Sequence, residues 1–202
     1  MEVIIRTARE SEYAQTEHIT REAFWNQYKP GCEEHLILHN LRQSESYVPA
    51  LDLVATRQSD IIGHCISTKA SVLDPHQHTH EVVCVGPVSV LPAFQQQGVG
   101  AQLLQQSIIT ACASGFAGMI LFGDPAYYHR FGFQNAAHYG ITTKEGENFD
   151  AFMALELQEN GLRAIHGRFY TDPAFEVDAT ELAAFETRFP ARVKRAPRRP
   201  IG

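Results

Sequence analysis

The sequence lacks the features that mark membrane, secreted and nucleic-acid-binding proteins. It has no apolar run near the roughly 20 residues that a bilayer-spanning helix needs, and its first residues lack the apolar core of a signal peptide. Its 17 lysines and arginines are outnumbered by 23 aspartates and glutamates, and the net charge is −6. A general nucleic-acid role is therefore disfavoured. These absences predict a cytoplasmic protein with no membrane and no nucleic-acid partner.

Cysteine is also scarce and unpatterned. The four cysteines, Cys32, Cys65, Cys84 and Cys112, lie far apart and include no CxxC pair. We therefore expect reduced, buried thiols. Alternate histidines between His76 and His80 raise the question of a metal site, but no carboxylate–cysteine set completes one, so a solvated loop is favoured and no metal is predicted.

The 202 residues, 44% of them hydrophobic, are enough for one domain with a sizeable core. Apolar periodicity predicts the element order β-α-α-β-β-β-α-β-α-β, which indicates an α/β fold with a mixed sheet. We expect the domain to occupy residues 1–175. Residues 176–202 are predicted to hold a C-terminal helix and a basic, proline-containing tail, which we expect to be mobile from Ala191 to Pro200.

The most informative stretch runs from Val82 to Leu104. Its β-branched residues up to Val90 predict a buried strand, which Pro92 ends. A glycine-bearing turn, Gln95–Gly100, then leads into a helical pattern. Free amides and the helix dipole favour an anion at such a helix start, so we predict a phosphate-bearing ligand at Gln95–Ala101. The turn has neither the Lys-Ser/Thr of a P-loop nor the three-glycine spacing of a dinucleotide site, so a nucleotide-binding domain is disfavoured.

Three motifs in order identify the family that this sequence resembles. They are Val-Leu-Pro-Ala-Phe at 90–94, Gln-Gln-Gln-Gly-Val-Gly at 95–100 and Tyr-His-Arg-Phe-Gly-Phe at 128–133. Together they resemble the GNAT superfamily of acyl-CoA-dependent N-acetyltransferases. Segments 86–90, 121–128 and 152–157 look in addition like the bacterial YhbS-like predicted acetyltransferases.

The resemblance implies a single GNAT-type domain, a twisted mixed β-sheet flanked by helices with splayed central strands. It implies acetyl-CoA as cosubstrate, no metal, and direct transfer of the acetyl group to a primary amine of an unidentified acceptor in a ternary complex. The alternatives are a non-catalytic acyl-CoA-binding sensor on the same fold and a transferase for a longer acyl-CoA. The protein is expected to be a monomer or a homodimer.

The resemblance also assigns roles. Val88 N–H would polarise the thioester carbonyl and Val90 N–H would bind the pantetheine arm, beside a break in the strand at Gly86-Pro87. Tyr128 would protonate the leaving thiolate, with Tyr127 as the alternate. The residues expected to bind the cofactor are Val88, Ser89, Val90, Gln95, Gln96, Gln97, Gly98, Val99, Gly100, Ala101 and Tyr128. Gln95 replaces the usual arginine and brings no charge.

The general base and the acceptor pocket are less defined. The resemblance makes Glu81, at the start of the central strand, the first choice as a base acting through water, and Asp124, His80 and water stay open. The candidate acceptor-pocket residues are Trp25, Tyr28, His76 and Tyr170.

Overall fold

A computed structural model describes residues 2–198 of the chain. Within them the backbone forms a nine-stranded sheet and five α-helices. The strands are β1 (Ile4–Thr7), β2 (Asp52–Arg57), β3 (Asp60–Leu73), β4 (Thr79–Val90), β5 (Gly118–Phe122), β6 (Gln134–Asn135), β7 (Ile141–Thr142), β8 (Phe152–Glu156) and β9 (Gly167–Tyr170). The helices are α1 (Tyr13–Phe24), α2 (Glu34–Leu41), α3 (Val99–Ala113), α4 (Pro125–Tyr128) and α5 (Ala179–Glu186). No helix in this part of the chain is long and apolar enough to cross a membrane.

The sheet is mixed, as the sequence predicts. Its order is β1-β2-β3-β4-β5-β8-β6, with β9 beside the end of β3 and β7 beside β9. β4 and β5 are parallel, as are β7 and β9, and the other neighbours are antiparallel. The polar loop expected at Asp74–His80 is shorter than predicted, because Thr79 and His80 pair with Leu73 and Val72 and so continue β4.

Different helices cover the two faces of the sheet. Val83 and Val85 of β4 belong to one core cluster with Leu104 of α3. On the other face, Ile66 of β3 packs with Leu41 of α2. α1 lies on that second face too, where Thr20 accepts a 2.9 Å hydrogen bond from the Ser89 hydroxyl. The alternation of β4 side chains thus fixes which helix lies on which side.

A bulge interrupts β4 at Gly86-Pro87. Cys65 of β3 pairs with Val88 and Ser67 pairs with Val85, so β4 has one residue more than β3 between these pairs. The extra residue shifts by one position which side chains of β4 point to each face of the sheet. Val85 faces α3 before the bulge, and Val88 faces the same helix after it. The break expected from the proline is therefore present as a bulge.

The C-terminal segment is docked, and the prediction of a mobile tail is wrong for residues 191–198. The Val193 carbonyl accepts a 3.1 Å bond from the Trp25 indole N–H, and Arg198 N–H donates to the Asn26 carbonyl at 2.9 Å. α5 is anchored by Glu186, which receives a bidentate hydrogen bond from the buried Arg21. Apolar Trp25 surface and free backbone groups at the end of α1 give this segment its partners. The rest of the predicted tail, residues 199–202, lies outside the described residues.

Candidate active site

A cleft opens between β4 and β5. These parallel strands pair only at Val83 with Met119 and at Cys84 with Ile120. Beyond that point β4 continues to Val90, whereas β5 ends at Phe122 and the chain turns into α4. The second half of β4 therefore has one edge that β5 does not pair. This is the splay of the central strands that the sequence analysis expects.

The amides of Val88 and Val90 are directed toward that open edge. Leu91 N–H donates to the Ile62 carbonyl of β3 at 2.9 Å, and a Cβ built on Gly63 would lie 2.9 Å from the Ser89 carbonyl oxygen. Leu91 and Ser89 thus direct their backbone groups toward β3. Because successive residues of a strand alternate, Val88 and Val90 direct theirs to the opposite edge. The Ser89 backbone does not face the cleft, and its side chain is buried against α1.

The turn before α3 presents a row of free amides. In the described part of the chain, no backbone acceptor is found for the N–H groups of residues 97–101, and the first bond of α3 runs from Gln102 N–H to the Gly98 carbonyl at 3.1 Å. Gln96 and Gly98 adopt left-handed φ values of 61° and 81°. A Cβ built on Gly98 would have no atom within 4 Å. The turn is thus open on its outer side and suited to an anion.

Two glutamine side chains of the turn bond to nearby backbone carbonyls. The Gln95 side-chain amide donates to the Val90 carbonyl at 3.0 Å, and that of Gln97 donates to the Ala93 carbonyl at 3.0 Å. That the Gln95 side chain joins a phosphate site stays a prediction. Its amide is held by the free edge of β4, and the donors of the turn come from the backbone.

Both candidate tyrosines lie beside the cleft. Asp124 caps α4 by accepting from Ala126 N–H at 2.9 Å, which holds Tyr127 and Tyr128 on a short helix after β5. The two rings meet edge to face at 5.0 Å. Burial raises the pKa of the Tyr128 phenol well above its usual range. The Tyr127 hydroxyl instead reaches the first turn of α3.

Two of the candidates for the base lie together at the start of β4, and the third precedes α4. Glu81 pairs with Lys69 at 3.1 Å and is half-exposed. It precedes Val88 by seven residues, which is roughly 20 Å along a strand. His80 is bonded to Asp74 at 3.2 Å, at the hairpin end of the same strand. The structure therefore does not bring Glu81 or His80 to the cleft, whereas Asp124 lies at its rim.

The predicted acceptor residues are also dispersed. Trp25 is 3% exposed and lies beneath the C-terminal segment, so it does not line a pocket. His76 lies in the hairpin turn, and Tyr170 lines a groove with Glu81 and Lys69. Tyr28 lies close enough to Tyr128 to contribute to the raised pKa of its phenol.

No covalent nucleophile or metal cluster is found at the cleft. Burial raises the pKa of Cys65 and of Cys84 to about 12, so neither forms a thiolate readily. Among residues 2–198 no group of three or more histidine, cysteine or carboxylate side chains is arranged to hold a metal ion. In the histidine loop, Asp74 instead accepts the backbone N–H groups of His76 and His78 at 2.8 and 2.9 Å.

Comparison with known proteins gives the family. Residues 51–135 match the model of the Acetyltransferase (GNAT) domain. The chain is 30% identical over 135 residues to the uncharacterized N-acetyltransferase YhbS of Escherichia coli K12, a match that covers 66% of this chain and 78% of the relative. The chain belongs to the GNAT N-acetyltransferase family. This confirms the resemblance that the three motifs indicate.

Solved structures of GNAT proteins agree with this assignment. The E. coli YhbS structure in complex with CoA has a TM-score of 0.77 at 24% identity and covers 87% of this chain and 92% of its own. A GNAT acetyltransferase from Brucella melitensis in complex with acetyl-CoA has a TM-score of 0.71 at 26% identity, covering 87% and 99%. The GNAT fold thus extends beyond the segment matched by the domain model.

Proposed function

We propose that this GNAT protein transfers the acetyl group of acetyl-CoA to a primary amine by direct attack within a ternary complex. The observation that carries the proposal is the adjacency of two donor sets. The free amides of residues 97–101 begin α3, and Gly100 of that turn lies next to Val88 and Val90 on the open edge of β4. The CoA and acetyl-CoA complexes of the two structural relatives support the same choice of ligand.

In this proposal the turn holds the diphosphate of CoA. The backbone amides of Gln97, Gly98, Val99, Gly100 and Ala101 donate to phosphate oxygens, aided by the positive end of the α3 dipole. Gln95 and Gln96 shape the turn. The free N–H of Val90 pairs with the pantetheine arm as a missing strand would. The arm thereby directs the thioester toward Val88.

Val88 N–H then stabilises the reaction's oxyanion. The free amine attacks the thioester carbonyl carbon, and the carbonyl oxygen gains negative charge that this N–H accommodates. When the tetrahedral intermediate collapses, the C–S bond breaks and the thiolate of CoA takes a proton from the Tyr128 hydroxyl. The tyrosinate then takes the extra proton of the acylated nitrogen, so that a neutral amide and the CoA thiol leave and Tyr128 is restored. Burial raises the pKa of the Tyr128 phenol, so the phenol carries its proton at neutral pH and its anion readily regains one.

The proton of the incoming ammonium has to leave before attack. We assign its removal to Asp124 or to a water that Asp124 holds, because this carboxylate lies at the cleft rim and Glu81 does not. A ping-pong route through an acyl-cysteine is disfavoured by the raised pKa values of Cys65 and Cys84.

Two measurements test the proposal. Acetyl-CoA should raise the thermal unfolding temperature, and a panel of primary amines should include one that releases the CoA thiol. Binding without thiol release by any amine would favour a non-catalytic acyl-CoA sensor. Faster turnover with propionyl- or succinyl-CoA than with acetyl-CoA would favour the longer-acyl alternative.

A further inference from the structure

Two exposed phenylalanines form a ledge beside the cleft. Phe122 is 50% exposed and Phe149 is 45% exposed, and their rings are stacked with centroids 6.0 Å apart. Phe152, which is buried, stacks behind Phe122 at 4.9 Å. The pair, called here the Phe122/Phe149 ledge, thus rests on the core and presents aromatic surface to solvent.

The ledge lies where β4 and β5 part, on the sheet face opposite α3. Ile120 is the last β5 residue paired with β4, and Phe122 is the next side chain on the same face. Gly123 follows, and its Cα approaches the ring of Tyr128 so closely that a Cβ there would lie 2.3 Å from Cε2. Side chains alternate along the strand, so this contact places the Tyr128 ring on the face that α3 covers and the ledge on the other face, on either side of the end of β5 beyond which the cleft opens.

Carboxylates flank the ledge. Gly123 N–H donates to the Ala151 carbonyl at 2.9 Å, which extends the β5–β8 pairing past Phe122. Beyond this pair of residues, the segments that continue β5 and precede β8 carry Asp124 and Asp150, and both are exposed. A cation is attracted by carboxylates and by aromatic faces alike. The opening thus combines apolar stacking surface with negative charge.

The ledge is too small to be the core of a stable dimer. Half-exposed, its two rings offer roughly 200 Å² of apolar surface in total, whereas a stable interface buries about 800 Å² on each partner. A single aromatic ring matches the area on offer. An ammonium on a short chain from that ring would reach the carboxylates that flank the ledge.

We propose that the acceptor is a primary amine joined by a short chain to an aromatic ring. Its ring stacks on the Phe122/Phe149 ledge, and its ammonium is held by Asp124 and Asp150 until it loses a proton and attacks the thioester. This inference rests on the proposed acetyl transfer and adds the substrate class to it.

The test compares 2-phenylethylamine with n-propylamine in thiol release. We expect the ring to lower KM, and Phe149→Ala to raise KM for 2-phenylethylamine roughly three- to tenfold while KM for n-propylamine stays the same. Phe149→Leu keeps apolar area without the ring, so its KM for 2-phenylethylamine should lie between those of the parent and of Phe149→Ala. Ile109→Ala removes an equally exposed apolar side chain from α3 and should leave both amines unaffected.

Asp150→Asn should raise KM for both amines, since it removes charge and not stacking surface. Turnover with no preference for the ring, or a ring preference that Phe149→Ala leaves intact, would overturn the inference and leave the acetyl transfer standing. A fall in molecular mass in solution on Phe149→Ala, with unchanged kinetics, would identify the ledge as a contact between copies and would also overturn it. Absence of turnover with every amine would instead contradict the proposed function.

Discussion

The Tyr127 hydroxyl lies 3.2 Å from the point where a Cβ on Gly100 would be placed. The same point is 3.6 Å from a methyl of Val90 and 4.0 Å from one of Val88. The first turn of α3, the open edge of β4 and a tyrosine of α4 thus lie in contact at Gly100, where there is no side chain. Any ligand that passes from the turn to the open edge has to pass Gly100.

Gly100→Ala should therefore separate binding from stability. Alanine gains up to about 1 kcal/mol of helix propensity over glycine, which offsets the close contact with a movable hydroxyl. We expect an unfolding temperature near that of the parent and weaker binding of CoA, measured by thermal unfolding and calorimetric titration. Adding Tyr127→Phe, which removes the touching oxygen, should restore part of the affinity. Unchanged affinity in the single variant would place CoA elsewhere.

Gly98→Glu tests the anion site at the turn. The new carboxylate would stand among the free amides and repel phosphate, so we expect CoA affinity to fall by about tenfold or more. The left-handed φ also costs about 1–2 kcal/mol of stability for any non-glycine residue.

Gly115→Glu is the matched control for that strain. Gly115 has φ of 84° and, like Gly98, no atom within 4 Å of a built Cβ, but it follows the other end of α3. We expect this variant to lose similar stability and to retain CoA binding. Equal loss of affinity in both variants would show that strain, and not the turn, controls binding.

Tyr128→Phe tests the acid role. Without its hydroxyl the thiolate has to take a proton from solvent, and we expect kcat to fall by about 100-fold or more with little change in CoA affinity. Tyr127→Phe, on the neighbouring residue, should change kcat much less. If single-turnover kinetics show a larger rate loss in Tyr127→Phe than in Tyr128→Phe, the proton donor to the thiolate is Tyr127.

Asp124→Asn and Glu81→Gln test the base. Asparagine also caps helices, so α4 should persist, and we expect kcat/KM at neutral pH to fall about tenfold or more. The deficit should shrink as pH rises toward the pKa of the amine, since free amine is then already present. Glu81→Gln removes one exposed ion pair, worth about 1 kcal/mol at most, and should leave the pH profile unchanged. A profile altered only by Glu81→Gln would restore the original assignment.

Truncation after Phe189 tests the docked C-terminal segment. It uncovers Trp25, the only tryptophan of the chain, so we expect a red-shifted fluorescence emission and a loss of about 2–3 kcal/mol in the free energy of unfolding. Truncation after Arg198 keeps the hydrogen bonds of Val193 and Arg198 to the end of α1 and should have neither effect. An emission maximum that stays at the parent's wavelength after truncation at Phe189 would mean that other residues cover Trp25.

The sequence predicts the local parts of this site well and the long-range ones poorly. The β-branched run up to Val90, the stop at Pro92 and the glycines of the turn are local signals, and the strand, turn and α3 follow them. The Gly86-Pro87 break is also local, because proline lacks the N–H that the ladder needs. The three motifs at 90–94, 95–100 and 128–133 indicate the GNAT family, and the order of the elements agrees with it.

What the sequence did not reveal depends on tertiary distance. The role given to Glu81 ignored the length of strand between it and Val88. The Gln95 side chain found a nearer acceptor in the Val90 carbonyl. The basic composition of residues 191–198 indicates a free tail. Their partners, Trp25 and Asn26 at the end of α1, come close only when the chain has folded, so the sequence does not show the docking.

Initial-rate kinetics with a competent amine test the central claim most directly. With acetyl-CoA and 2-phenylethylamine varied together, direct transfer predicts intersecting double-reciprocal lines and one N-acetylated product molecule for each CoA thiol released. Gly98→Glu should raise KM for acetyl-CoA by about tenfold or more. Parallel lines would indicate an acyl-enzyme. Tight binding of acetyl-CoA with no acetylated product from any amine would contradict the account.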